Sequence, residues 1–160
     1  MSAYHLDMNP SFESQEITTS ESTRSARLKW VIVVDKTTAP GRMVNAVACI
    51  SATTGALVHG LVAHGGADAS GSVHPGLPWA GCTVLAAGAE QLLNVRAKAV
   101  AVEGMLVVDM PLAAQSNRVY DDYVAELATT DPADLALSAL SIVGPRAEVD
   151  TIVKRLSLLA

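Results

Sequence analysis

Four charged side chains stand where strands are expected to end: Asp35, Lys36, Arg42 and Asp109. The first three fall in KWVIVVDKTTAPGR (29–42), where an apolar run from Trp30 to Val34 meets a charged pair and then a Thr/Pro/Gly turn. A strand that turns directly into a helix leaves free helix-start amides at its carboxyl end, the usual place for ligands in open α/β sheets. There, Arg42 and Lys36 suit a carboxylate, a phosphate or negative charge developing on a carbonyl oxygen. Asp109 would orient a water or a polarising group. The ligand-binding set expected around them is Asp35, Gly41, Asn45, His74 and Gln115. The plainer alternative is a pair of structural ion contacts at strand ends. The turn is not a P-loop, because the G-x-x-x-x-G-K-[ST] spacing is absent.

These residues need a scaffold, and the pattern of the chain supplies one. Residues 1–26 are polar, rich in Ser, Thr and Glu, and read as a mobile extension; the alternative is an arm that packs on a partner subunit through Tyr4, Leu6, Met8 and Phe12. Residues 27–160 read as one α/β domain. Strands are expected at 28–35, 57–63, 82–87, 105–109 and 137–143, and helices at 40–53, 88–99, 113–128 and 145–156. Pro40 suits the first turn of its helix, and Gly55 is expected to end it. In the helix over 113–128, Val119, Tyr120, Tyr123, Val124 and Leu127 are expected to face inward, with Asp121, Asp122 and Glu126 outward. Ser116 is expected to cap that helix.

The glycine-rich loop over 64–81 contains His64, Asp68 and His74, residue types a metal would accept. Their intervals fit no compact ligand motif, so no metal is expected. An irregular surface loop is the first reading and a loop closing over the strand edge the second. Cys49 and Cys82 lie apart in apolar contexts and read as reduced core thiols. No Ser-His-Asp or Cys-His arrangement is legible, and no cofactor is implied.

Half of the 160 residues are apolar and only 4% aromatic, which fits a packed α/β layer structure built on Ala and Val. The longest apolar runs are strand-length, which excludes a bilayer-spanning helix. With no secretory signal visible, the cytoplasm is the expected location. The net charge of −5 argues against nucleic acid, whose binders need a basic face. A small polar or anionic molecule is the expected partner, and a homodimer is left open.

Two sets of motifs carry a resemblance to known families. The strand ending Ile32-Val33-Val34 with its glycine-led helix, Val84 to Ala99, MLVVDMPLAAQ (105–115) and the closing SIVGPRAEVDTIVKRLSLL (141–159) resemble the type II peptidyl-tRNA hydrolases. More closely, K-x-x-I-V-V-D at 29–35, His74-Pro75-Gly76 and Val143-Gly144-Pro145-Arg146 are similar to the bacterial domain of unknown function 2000 family. The resemblance covers residues 28–160 and implies a mixed β-sheet flanked by helices, of the type II peptidyl-tRNA hydrolase kind. It also implies tRNA as the partner and hydrolysis of a peptidyl-tRNA, or of another aminoacyl-type ester or amide, as the activity. Asp109 matches the hydrolases' acidic position. Arg42 stands where they carry lysine, Asp35 where they carry arginine, and Ala139 near their threonine, with Ser138 and Ser141 close by. Arginine cannot titrate as a base at neutral pH. Ligand binding without turnover is therefore the expectation ahead of hydrolysis.

Overall fold

A computed structural model describes residues 9–160. Its centre is strand β1, Leu28–Asp35, whose Val31 to Val34 are all buried. A β-branched run buried on both faces is what a central strand requires. It pairs in parallel with β4 (Thr83–Ala87), Val31 opposite Thr83 and Asp35 opposite Ala87. On its other side it pairs antiparallel with β6 (Leu137–Pro145), Val34 opposite Ala139. The sheet is completed by β5 (Leu106–Pro111) beside β6 and by the two-residue β7 (Ser157–Leu158) beside β4, giving the order β5-β6-β1-β4-β7. A separate hairpin joins β2 (Gly66–Ala67) to β3 (Val73–His74).

Helices cover both faces. Helix α1 (Pro40–Leu57) packs Ala46 and Ile50 over Trp30, Ile32, Val34 and Ala139. Helices α2 (Ala89–Val100) and α5 (Arg146–Val153) cover the other face, where Leu92, Val95 and Val149 meet Val31, Val33, Leu140 and Ile142. Beneath α1 a buried polar chain is fully satisfied. The Trp30 indole N–H donates to Ser141 Oγ at 2.8 Å, and Ser141 Oγ meets Thr54 Oγ1 at 2.8 Å. Thr54 Oγ1 also donates to the Ile50 carbonyl. No helix among the described residues is long and apolar enough to cross a membrane.

Several elements differ from expectation, each for a local reason. Helix α1 runs through Gly55 to Leu57, since one interior glycine costs only about 1 kcal/mol against alanine. No strand forms over 57–63; that segment makes a single bridge, Val62 to Pro78. The helix expected over 113–128 is broken into α3 (Leu112–Ser116) and α4 (Tyr120–Thr129). Asn117 makes the break: its amide side chain donates to the Ala113 carbonyl and to Glu126, and its backbone is extended. Ser116 Oγ bonds back to the Leu112 carbonyl, so it closes α3 instead of capping α4. The turn carries α4 off the sheet. Val119, Tyr120, Val124 and Leu127, expected inside, are exposed. Strand β7 was not expected at all, because two residues leave no periodic trace.

The expected extension also needs correcting over residues 9–26, which pack on the domain. Phe12 is 6% exposed, packs on Trp79 with ring centroids 4.9 Å apart, and its N–H donates to the His59 carbonyl. Gly60 makes this docking fit: its φ is +74°, and a Cβ there would stand 2.8 Å from the Phe12 carbonyl oxygen. Tyr4, Leu6 and Met8 lie outside the described residues. Both cysteines are free and exposed, not core thiols.

Candidate functional site

The carboxyl ends of β1, β4 and β5 lie along one edge of the sheet, because β4 runs parallel to β1 and both β1 and β5 run antiparallel to β6. The charged residues there do not form one cluster. Asp35 closes its own turn, accepting from the Thr37 N–H at 2.9 Å and from Thr37 Oγ1 at 2.8 Å. Lys36 donates its backbone N–H to the Ala87 carbonyl, while its side chain is exposed. Arg42 is exposed on the first turn of α1. Asp109 lies opposite Leu140, which lies opposite Val33. Two strand spacings, about 10 Å, therefore separate β5 from β1. The Asp109 carboxylate accepts from Arg96 Nε of α2 at 2.5 Å, on the sheet face opposite α1. Arg96 was not anticipated, since a partner 13 residues away across a helix-to-strand connection leaves no spacing signal.

Gln115 and Asn45 do come together. Gln115 Nε2 donates to the Arg42 carbonyl at 2.9 Å and to Asn45 Oδ1 at 3.0 Å, tying α3 to the start of α1. Gln115 Oε1 is buried with no hydrogen-bond partner among the described residues. Gly41 is exposed, and a Cβ there would meet nothing within 4 Å. His74 sits on the β2–β3 hairpin, its Nε2 3.2 Å from Asp68 Oδ2, both exposed. Hydrogen bonds from Ser70 first, then from His74 and the Ser70 and Ser72 backbone, hold the Asp68 carboxyl down at about 2. The glycine of His74-Pro75-Gly76 has a packing role: a Cβ at Gly76 would lie 1.7 Å from the Ala63 carbonyl oxygen. Among the described residues no group of three His, Cys, Asp or Glu side chains is placed to hold a metal ion.

The carboxyl edge has its concavity one step aside, between α1, the end of β5, α3 and α4. This cavity of ≈ 340 Å³ has an apolar floor of Ile50, Val108, Met110, Pro111 and Ala114. Its rim carries Cys49 and Thr53 of α1, Asp109, Asn117 and Arg118 of the helix break, and Tyr120 and Tyr123 of α4. The two tyrosine rings meet edge-on with centroids 5.6 Å apart. Arg118 has no ion-pair partner among the described residues. Apolar walls with a few placed polar groups are what a small-molecule pocket needs, and about 300–1,000 Å³ is the usual size. Of the expected site residues only Asp109 borders this cavity. The i, i+4 pair Cys49 and Thr53 was visible in the sequence, but an uninterrupted helix over 113–128 hid Arg118.

The chain belongs to the family of proteins of unknown function DUF2000, whose profile matches residues 28–160. A solved structure of a protein of unknown function from Agrobacterium tumefaciens strain C58 superposes with a TM-score of 0.71, over 84% of this chain and 98% of that one, at 17% sequence identity. That likeness shows the fold. No curated protein matches the chain in sequence.

Proposed function

We propose that this domain binds a small molecule with an apolar body and one anionic group in the cavity at the carboxyl end of β5, without turning it over. The scaffold we propose is of the type II peptidyl-tRNA hydrolase kind, a reading supported by the strand, Gly-Pro and helix motifs at its two ends. The observation that carries the function is the cavity itself: apolar floor, aromatic wall, and Arg118 at the rim with no ion-pair partner among the described residues. A guanidinium in such a place holds a carboxylate through charge-assisted hydrogen bonds.

Turnover finds little support. Asp109, the expected water-orienting group, is engaged by Arg96 on the far face, and Arg42 and Lys36 stand apart from it. Ser138 and Ser141, beside the hydrolases' threonine position, are buried and hydrogen-bonded within the core. The net charge of −5 supports a small molecule over tRNA.

Calorimetric titration with benzoate, an aryl carboxylate, tests the proposal. The expected result is saturable binding that Arg118→Gln weakens about tenfold, the scale of one charge-assisted contact. Equal binding by the wild type and R118Q would sink it.

A further inference from the structure

At the opposite, amino end of the strands lies a second cavity that the proposed function does not use. It measures ≈ 600 Å³ and is bounded by residues 23–24 and 80–82, the starts of β1 and β4, and the first half of α5. Three cations line it, Arg24, Lys29 and Arg146, against one carboxylate, Asp150. Asp150 is already ion-paired with Lys29 at 2.5 Å. On a chain of net charge −5, two positive charges in excess within one cleft are a local reversal of sign.

The cations are held differently, and the difference matters. Arg146 is fixed: its Nε donates to the Ala26 carbonyl at 2.9 Å and its Nη2 to the Thr23 carbonyl at 3.2 Å. That leaves a guanidinium of set orientation with donors to spare. Arg24 is exposed and has no ion-pair partner among the described residues. The amino end of α5 has Pro145 as its N-cap and no side-chain cap; the Arg146 amide donates to the Arg27 carbonyl, and the amides after it add partial positive charge at the same end. Residues 80–83 line the remainder of the cleft, beside Thr23 and the edge of the buried Trp30.

We infer that this cleft is a binding site for a small phosphomonoester, Arg24 and Arg146 holding the phosphate and the organic part lying along Ala80 to Thr83. The dianion of a phosphomonoester, with a second pKa near 6, matches two excess positive charges at neutral pH; a monocarboxylate leaves one unmatched. A volume of ≈ 600 Å³ leaves room beyond the phosphate itself. The site depends on residues 9–26 being docked, because that segment supplies Arg24 and the two carbonyls that set Arg146.

The test is calorimetric titration of the full chain with phenyl phosphate, compared across wild type, Arg24→Gln and Lys98→Gln. Arg24 makes no side-chain bond that folding needs, so R24Q should keep the wild-type unfolding midpoint while losing at least tenfold in affinity. K98Q removes a cation outside the cleft and should bind within twofold of wild type. Three results would overturn the inference: no saturable heat up to about 10 mM ligand, equal affinity in R24Q, or an equal loss in K98Q. Because benzoate reports on the other cavity, failure here leaves that reading standing, and the reverse.

Discussion

The two ends of the sheet carry cavities of different lining, apolar and aromatic at one and charged at the other. At the carboxyl end, cations and carboxylates that look clustered in the sequence are separated by strand spacing and by the sheet itself, and the cavity beside them is walled by apolar and aromatic side chains. At the amino end, Arg24 and Lys29 stand near the start of the chain and Arg146 near its close, yet all three line one cleft. Proximity in sequence at a strand end says little about convergence, because alternate residues point to opposite faces. Asp109 shows this directly: its strand ends at the expected edge, but its carboxylate belongs to the α2 face.

The difference can be broken open from the amino end. Phe12→Ala removes the buried ring that docks residues 9–26 and should cost about 3 kcal/mol of stability, read from urea unfolding. Phenyl phosphate binding should fall with it, while benzoate binding at the carboxyl end persists. Next in size is Ser141→Ala, which leaves the Trp30 N–H without its acceptor in the polar chain under α1. A buried donor left unpaired predicts a loss of about 2 kcal/mol in the same measurement, with both ligands still bound.

Asp109→Asn should be milder. Its pair with Arg96 is partly open to solvent, so a stability loss of at most about 1 kcal/mol is expected, read from the same urea unfolding. The smallest effect is at acid pH. Arg27, donating to Glu16 at 2.5 Å, holds that carboxyl at about 2, below its ordinary 4.5. A lowered folded-state pKa means the stabilisation is complete above pH 4.5 and is lost as pH falls towards 2. Arg27→Gln should flatten that part of the unfolding midpoint against pH, and phenyl phosphate binding should become less sensitive to acid over the same window.

The sheet was largely legible because its strands carry their own signal. Val31 to Val34 reads as a buried strand, and Leu137 to Val143 reads as a strand too. Elements fixed by single contacts were not. Phe12 is one aromatic in a polar stretch, and nothing local says that Gly60 leaves a place for it. The break at Asn117 depends on a side chain reaching Ala113 and Glu126, so the apolar stripe of α4 was assigned inward by periodicity alone. The consequence reached the site: with α3 and α4 merged, Arg118 could not be seen as a rim residue. Gln115 and Asn45 were named as ligand-binding residues, and the structure joins them to each other across α3 and α1.

The most direct test of the central claim is a ¹H–¹⁵N NMR titration with benzoate. Saturable shifts are predicted at the amides of Cys49, Thr53, Met110, Asn117, Arg118 and Tyr123, with Lys36 and Arg42 unmoved. Shifts centred on Lys36 and Arg42, or no residue-specific shifts at all, would contradict a binding site at the carboxyl end of β5.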